Sequence, residues 1–361
     1  MVSTRLHFDA GHRVLVFAPH PDDETIAAGT LIQSAMGAGA AVRVVFITDG
    51  DNNPWPQRWL ERRWHIGAIE RARWGERRRR EALAAASILG IEAASVRFLG
   101  WPDQGLTDCL MRDGDAEESL AAEIAGFSPT HVVLPTLSDR HPDHSALRVM
   151  LDLAMLRGSA TAMRLGYVLH GPALANATHV SASDTVSRAR KHAALLTYET
   201  QISLSRSRLS RLAHREESFD VAEWRLPHSA TSSDLLLRLP LPTYPWRLRH
   251  HRLLLVLACT STIRRLGIPL KPFGALRRGI TLKASDAIGA TVHMRCNAQW
   301  LDLNMSGAAT GLLQGYVKLE RAWPRLVIFD AAGWRSIDEC LVPERQSMFG
   351  RDDHLPARVL S

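Results

Sequence analysis

Short apolar runs alternate with amphipathic stretches over the first 135 residues of the chain, and this alternation narrows the fold more than any other feature. Val14–Ala18 is a continuous apolar run, and Val42–Thr48, Val96–Leu99 and His131–Pro135, mostly apolar, have likewise the length and character of strands. A helix is predicted from Glu24 to about Met36, and an arginine-rich helical stretch ends in ERRRREALAAASILG, with Gly90 as its C-terminal stop. Strand–helix–strand units of this kind build a mostly parallel sheet sandwiched by helices. The expected fold class is therefore α/β, Rossmann-like, with a second helical region, SRARKHAALLTYETQ, completing a domain over residues 1–225.

Sheets of this type place their sites outside the carboxyl ends of the strands. The polar residues of this chain fall there: HPDDE follows the first strand, TDGD the second, PDQG the third and SDRHPDH the fourth. In the first of these, Pro19-His20-Pro21-Asp22-Asp23-Glu24, a histidine and a carboxylate three residues apart can face one point if the turn is tight, and Pro21 stiffens it. His141-Pro142-Asp143-His144 offers two more imidazoles at another strand end. Zinc accepts imidazole nitrogen and carboxylate oxygen, and a catalytic site uses three protein ligands and leaves one position open. Taken alone, Asp22, Asp23 and Glu24 read as acids at a helix N-terminus. The second His-rich segment at a neighbouring strand end shifts the reading to a metal site.

These two segments resemble the signature motifs of the LmbE/PIG-L family of zinc-dependent de-N-acetylases, which act on acetamido sugars and related conjugates. The resemblance covers residues 12–220 and includes the RxxE helix and the FLGWPD segment. It implies His20, Asp23 and His144 as the ligands of Zn2+ and Asp22 as the general base. It further implies that His141 stabilises the oxyanion or protonates the leaving amine, with Asp143 orienting and charging it, and that Arg78 and Asp103 hold sugar hydroxyls. An acetamide is a poor electrophile, so such a site must activate both water and carbonyl, which zinc can do. Asp22 is then free to take a proton if the metal is to keep an open position.

The expected activity is removal of the N-acetyl group from an acetamido sugar or sugar conjugate. An amidase acting on a thiol conjugate or an acylated secondary-metabolite precursor, and a catalytically silent sugar-binding module, are the alternatives. Nine arginines between Arg58 and Arg80, against three glutamates, read either as a paired, solvated helix face or as a site for a phosphate-linked substrate. Trp55, Trp59 and Trp101 either stack on sugar rings or pack against protein. Asp49 and Asp51 read as turn formers and His131 as structural.

Residues 226–361 read as a basic linker and a small β-containing C-terminal extension. Leu235 to Ser285 contains no acid and ten Lys or Arg residues, and ITLKA, ATVHMRC, QWLDLNM, GYVKLER and RLVIFD have strand character. Within 246–278 the apolar run Leu253 to Cys259 sits among arginines 247, 249, 252, 264 and 265, a pattern suited to peripheral contact with an anionic membrane and to a lipid-linked substrate. The formal charge of +7 comes mainly from these two arginine clusters, with no zinc finger or RNP-like motif, so no nucleic-acid partner is expected. Four isolated cysteines and an N-terminus without a long apolar segment point to a cytoplasmic protein, peripheral at the inner membrane face if the basic segment docks there.

Overall fold

The computed structural model describes residues 4–112, 114–156, 162–174, 177–221, 235–241, 251–270, 281–285, 291–296, 299–306, 311–321, 329–330, 332–342 and 358–359. The chain divides into two units, residues 1–223 and 224–361.

The first unit runs β1 (Thr4–Arg5), β2 (Arg13–Ala18), α1 (Asp23–Gly37), β3 (Ala41–Thr48), α2 (Pro54–Glu61), α3 (Ala68–Leu89), β4 (Val96–Trp101), α4 (Leu106–Leu110), α5 (Asp115–Phe127), β5 (His131–Pro135), α6 (Pro142–Leu156), β6 (Met163–Tyr167), β7 (His179–Val180), α7 (Thr185–Leu196), α8 (Glu199–Ala213) and β8 (Ser218–Val221). The sheet order is β1-β7-β8-β6-β5-β2-β3-β4. The five strands from β6 through β5, β2 and β3 to the edge strand β4 are parallel, whereas β8 pairs antiparallel with both β6 and β7.

The runs of β2, β3 and β5 form central strands because both their faces are covered, whereas Val96–Leu99 forms the edge strand β4 and is only partly buried. Val14, Val16 and Ala18 of β2 pack with Ile26 and Leu31 of α1, Ala82 and Ala85 of α3 and Leu195 of α7, while the alternate residues Leu15 and Phe17 are equally buried. The helix α3 stops at Gly90, whose φ of 96° is the left-handed conformation that glycine takes without strain. The helical region SRARKHAALLTYETQ comprises most of α7 and the start of α8, because the chain turns at Thr197 and Tyr198 between them.

Chain order reverses in the sheet between β2 and β5. From β2 the strands step through β3 to β4, and the chain then returns to place β5 on the other side of β2. A crevice at such a switch point, outside the carboxyl ends of the strands, is where ligands bind in open α/β sheets. HPDDE leaves β2 and HPDH follows β5, so the two segments flank this crevice.

The second unit contains β9 (Leu235–Pro240), β10 (His251–Cys259), β11 (Ile263–Pro269), β12 (Thr281–Ser285), β13 (Thr291–Cys296), β14 (Trp300–Ser306), β15 (Leu312–Arg321), β16 (Arg335–Ser336) and β17 (Arg358–Val359). One sheet is ordered β11-β10-β15-β16 and the other β17-β12-β13-β14-β9, antiparallel except for the β12–β17 pair. Leu235, Leu237 and Leu239 of the second sheet share a core with Leu253, Leu255 and Leu257 of the first. Residues read as a linker thus form part of a two-sheet unit with its own core.

This arrangement corrects the membrane reading of 246–278. Within its described part, 251–270, Leu253 to Leu257 are at most 1% exposed, because β10 is paired on both edges by β11 and β15. That run is core and cannot also enter a bilayer. Residues 246–250 and 271–278, with Arg247 and Arg249, lie outside the described residues, as does most of RLVIFD. Among the described residues no helix is long and apolar enough to cross a membrane.

Candidate active site

The turn after β2 is tight because its own side chains and its neighbours close it. Asp23 Oδ2 accepts a hydrogen bond from the His20 N–H at 2.9 Å, and the Asp23 N–H donates to the His20 carbonyl. Thr48, at the end of β3, donates both its N–H and its hydroxyl to the Pro19 carbonyl. Asp22 takes a φ of 115°, a conformation rare for a residue with a Cβ, and α1 starts directly behind it.

This turn meets the start of α6 across the crevice. Asp23 Oδ2 lies 3.1 Å from His20 Nδ1 and also 3.1 Å from His144 Nε2. The far nitrogens of both rings face carboxylates: His20 Nε2 is 3.2 Å from Asp103 Oδ1 and 3.2 Å from Asp143 Oδ2, and His144 Nδ1 is 3.3 Å from Asp139 Oδ2. His20, Asp23, Asp139, Asp143 and His144 are all buried. Donor atoms of His20, His141 and His144 lie within 4.8 Å of one another, as do those of Asp23, His144 and His170.

The donor chemistry fits a resident dication. Asp23 Oδ2 lies 3.1 Å from a nitrogen of each of two imidazoles, and each imidazole has a carboxylate at its other nitrogen, the arrangement that fixes ring orientation and tautomer around a bound metal. His144 makes the case most sharply, since both its ring nitrogens are buried and neither makes a well-formed hydrogen bond.

The electrostatics agree. Burial pulls the His20 imidazole down, but hydrogen bonds to Asp103, Asp143 and Asp23 hold it well above the ordinary range. Against the same burial, the charges of Asp23 and Asp139 raise His144 to about 9. Burial raises Asp23, yet the charge and close approach of His144 and the hydrogen bond from the His20 ring bring it well below the usual carboxylate range. This cluster thus draws positive charge into its centre, and a dication would supply that charge with both imidazoles neutral. Asp22 behaves differently: burial and the neighbouring Asp23 raise it to about 7, against the pull of Arg78 and His20.

His141 sits over the cluster, its ring 4.7 Å from that of His20 and 5.0 Å from that of His144. Its Nδ1 accepts a hydrogen bond from the Asp143 N–H at 3.2 Å, which assigns the proton of the neutral ring to Nε2. Burial, then the charges of His20 and His144, hold His141 well below the imidazole range.

Three expectations change in detail. The Asp143 carboxylate accepts from the N–H groups of Gln104 and Leu106 and approaches His20, while the Asp143 backbone N–H is what donates to His141 Nδ1. Asp103 also faces His20, and its second oxygen accepts from the Asn52 N–H at 2.7 Å, an arrangement that braces a ligand. Arg78 is 3% exposed and donates to the carbonyls of Gly50 and Pro21, with Asp22 Oδ1 at 3.6 Å from its Nη2. Sequence position identified these side chains, but the directions in which they point depend on packing.

Two participants were missed. Asp139 accepts from the N–H groups of His141, Leu169 and His170 as well as approaching His144, so it ties the loop after β5 to the loop after β6. His170 lies 4.7 Å ring to ring from His144 and donates its N–H to that same carboxylate. Asp139 stood in view in SDRHPDH, whereas nothing in the sequence near His170 marks it as part of this cluster.

Most of the arginines between 58 and 80 are paired. Arg63 meets Glu70, Arg71 meets Asp51, Arg73 meets Glu61, Arg77 meets Glu81 and Glu199, and Arg79 grips both oxygens of Asp49. Asp49 and Asp51 therefore anchor α3, and the paired-face reading accounts for most of this charge. Trp55 and Trp59 are 59% and 67% exposed on α2, three and seven residues beyond Asn52. His131 packs against His12 and Phe8 at the start of β5, at the opposite end of the strand from HPDH.

Residues 15–155 match the family model for GlcNAc-PI de-N-acetylase, PIG-L. This stretch is thus similar to a PIG-L domain. It contains both His-rich turns and ends within α6. Among curated proteins, the chain is similar to a 1D-myo-inositol 2-acetamido-2-deoxy-alpha-D-glucopyranoside deacetylase of Mycolicibacterium vanbaalenii, at 35% identity over 149 residues, 37% of this chain and 50% of that one. Its similarity to the protein of that name from Thermomonospora curvata is 25% over 329 residues, 86% of this chain and 99% of the other. The chain spans about half the length of the first of these relatives. Among solved structures it is similar to the conserved protein TT1542 from Thermus thermophilus, with 23% identity, a TM-score of 0.46 and coverage of 59% and 95% of the two chains. The N,N'-diacetylchitobiose deacetylase from Pyrococcus horikoshii gives 19%, 0.46, 58% and 84%.

Proposed function

We propose that this chain is a zinc-dependent de-N-acetylase that releases acetate from an acetamido sugar or sugar conjugate. The observation that carries the proposal is the single Asp23 oxygen placed 3.1 Å from an imidazole nitrogen of each of two different turns, His20 and His144, with Asp22 beside it in the same turn. These three residues would hold the ion, and two nitrogens and one oxygen are a donor set suited to zinc. When bound, the metal supplies Lewis acidity for both the amide carbonyl and the attacking water.

The protein's own residues account for the proton movements. Asp22, held at about 7 by burial and the neighbouring Asp23, is poised to take a proton from attacking water onto its carboxylate. His141, with Nε2 carrying the proton, donates toward the carbonyl oxygen as negative charge grows there. The proton collected on Asp22 then goes to the amine nitrogen as the C–N bond breaks, which leaves a free amine and acetic acid, and the acid yields its remaining proton to solvent to become acetate. Asp103 and Asp143 keep the His20 ring turned, and Asp139 does the same for His144.

The substrate class is supported by the match to the GlcNAc-PI de-N-acetylase model and by relatives named as deacetylases of an inositol-linked acetamido sugar. Exposed Trp55 and Trp59 supply flat apolar faces for stacking against sugar rings close in sequence to Asn52, which hydrogen-bonds Asp103. Acetate release should be measured across soluble, nucleotide-linked and lipid-linked N-acetylated sugars, with Asp22→Asn as control. Release that the control lacks supports the proposal, and no release from any member by metal-loaded protein refutes it.

A further inference from the structure

Asp22 and Asp23 are adjacent carboxylates of equal reach, and the proposed chemistry needs them to behave oppositely: one as a ligand, the other free beside the metal. What separates them is the backbone. The φ of 115° at Asp22 belongs to a region that is strained for a residue with a Cβ, so the surroundings must enforce it.

The enforcement acts on one peptide group from both sides. The Pro21 carbonyl and the Asp22 N–H belong to the same peptide unit; Arg78 Nη2 donates to the carbonyl at 2.6 Å, and Glu24 Oε2 accepts from the N–H at 3.2 Å. Each clamp is itself anchored. Arg78 Nη1 donates to the Gly50 carbonyl at 2.5 Å, and Glu24 Oε1 accepts from the Tyr198 hydroxyl at 2.6 Å and from the Thr25 hydroxyl. Glu24 and Tyr198 are at most 1% exposed and Arg78 is 3% exposed, so water does not compete with this chain of bonds.

We infer that Glu24, Tyr198 and Arg78 are positioning residues whose joint action fixes the Pro21–Asp22 peptide and so keeps the Asp22 carboxylate out of the metal's ligand set. This assignment rests on the proposed reading of the site and gives the fifth residue of HPDDE a task. Releasing the peptide lets Asp22 relax toward ordinary φ and turn its carboxylate to the metal as an added ligand. The open position then closes and the base is lost, in protein that still holds its ion.

The test uses the full chain with cobalt(II) in place of zinc, comparing wild type, Glu24→Gln and Tyr198→Phe. The Tyr198 substitution removes a single hydroxyl and is the one read where Glu24→Gln does not give folded protein. The expected results are unchanged metal content, a weaker visible cobalt absorption as coordination number rises, and kcat reduced about 10²-fold with KM little altered. Adding Asp22→Asn to the Tyr198→Phe background should restore the wild-type absorption, because an amide is a poor ligand. Visible spectra identical to wild type in folded Tyr198→Phe protein would overturn the inference, and so would a weakened spectrum that Asp22→Asn fails to restore. The cobalt spectrum requires no substrate, so it decides this point even if no acetamido sugar is turned over.

Discussion

His144 Nε2 lies 3.1 Å from Asp23 Oδ2, although one residue opens α6 and the other opens α1. The two helices follow β5 and β2, which are neighbours at the reversal of strand order, so the sheet topology alone brings their N-terminal turns together. The contact converts two separate sequence motifs into one site.

Asp22→Asn should retain its metal and lose most of its turnover. The amide keeps the size of the side chain but cannot collect a proton, and loss of a general base costs roughly 10²–10⁴-fold. Steady-state kinetics and metal analysis on the same sample check this, and near-normal kcat would remove Asp22 from its role.

Asp139→Asn should weaken metal binding about 10–100-fold, as expected when the partner of a ligating imidazole is lost. Asp139 touches His144 Nδ1 at 3.3 Å and has no place in the proton transfers, so the turnover of metal-saturated protein should fall much less than the affinity. Competition against a chelator measures the first quantity and kcat in excess metal the second.

Gly50→Ala should damage the site from outside it. Gly50 has a φ of 61°, and an added Cβ would collide with the Arg78 guanidinium, which donates to the Gly50 carbonyl. The substitution should destabilise the protein by about 1–3 kcal/mol from backbone strain and lower kcat by displacing Arg78 from the Pro21 carbonyl. Thermal denaturation and kinetics report the two effects.

Glu217→Ala should lower stability by about 3–5 kcal/mol, the cost of removing one partner from a buried ion pair. Glu217 accepts from Lys191 Nζ at 2.7 Å and from the N–H groups of Thr30 and Leu31, and Lys191 also donates to the Ile26 carbonyl. This pair ties α7 and the start of β8 to the middle of α1, the helix that begins with the site's own carboxylates. Denaturant unfolding gives the value, and a change below 1 kcal/mol would contradict this account.

The sheet and the two His-rich turns were legible because a fully buried parallel strand is written as an unbroken apolar run, and because strand ends in such sheets carry the chemistry. Facing was not legible. Arg78 and Asp103 were found by register, yet whether a guanidinium reaches a sugar or the Pro21 carbonyl depends on packing between α3 and the β2–α1 turn. The same limit hid His170, which reaches His144 only through the pairing of β6 with β5. In the second unit, Leu253 to Cys259 offered a continuous apolar run that fits a surface insert or a central strand equally well, and the pairings of β10 decide for the strand. Leu235, Leu237 and Leu239 alternate as a strand does, but the surrounding lack of acids and recurrence of proline disguised them as a linker.

The central claim is that His20, Asp23 and His144 together hold the ion on which the chemistry depends. Its most direct test is the metal content of purified wild type and His144→Ala by elemental analysis, with folding checked by circular dichroism. The account predicts about one zinc per chain in wild type, as for a mononuclear catalytic site, and its loss in folded His144→Ala protein. Full metal retention by that variant would contradict it.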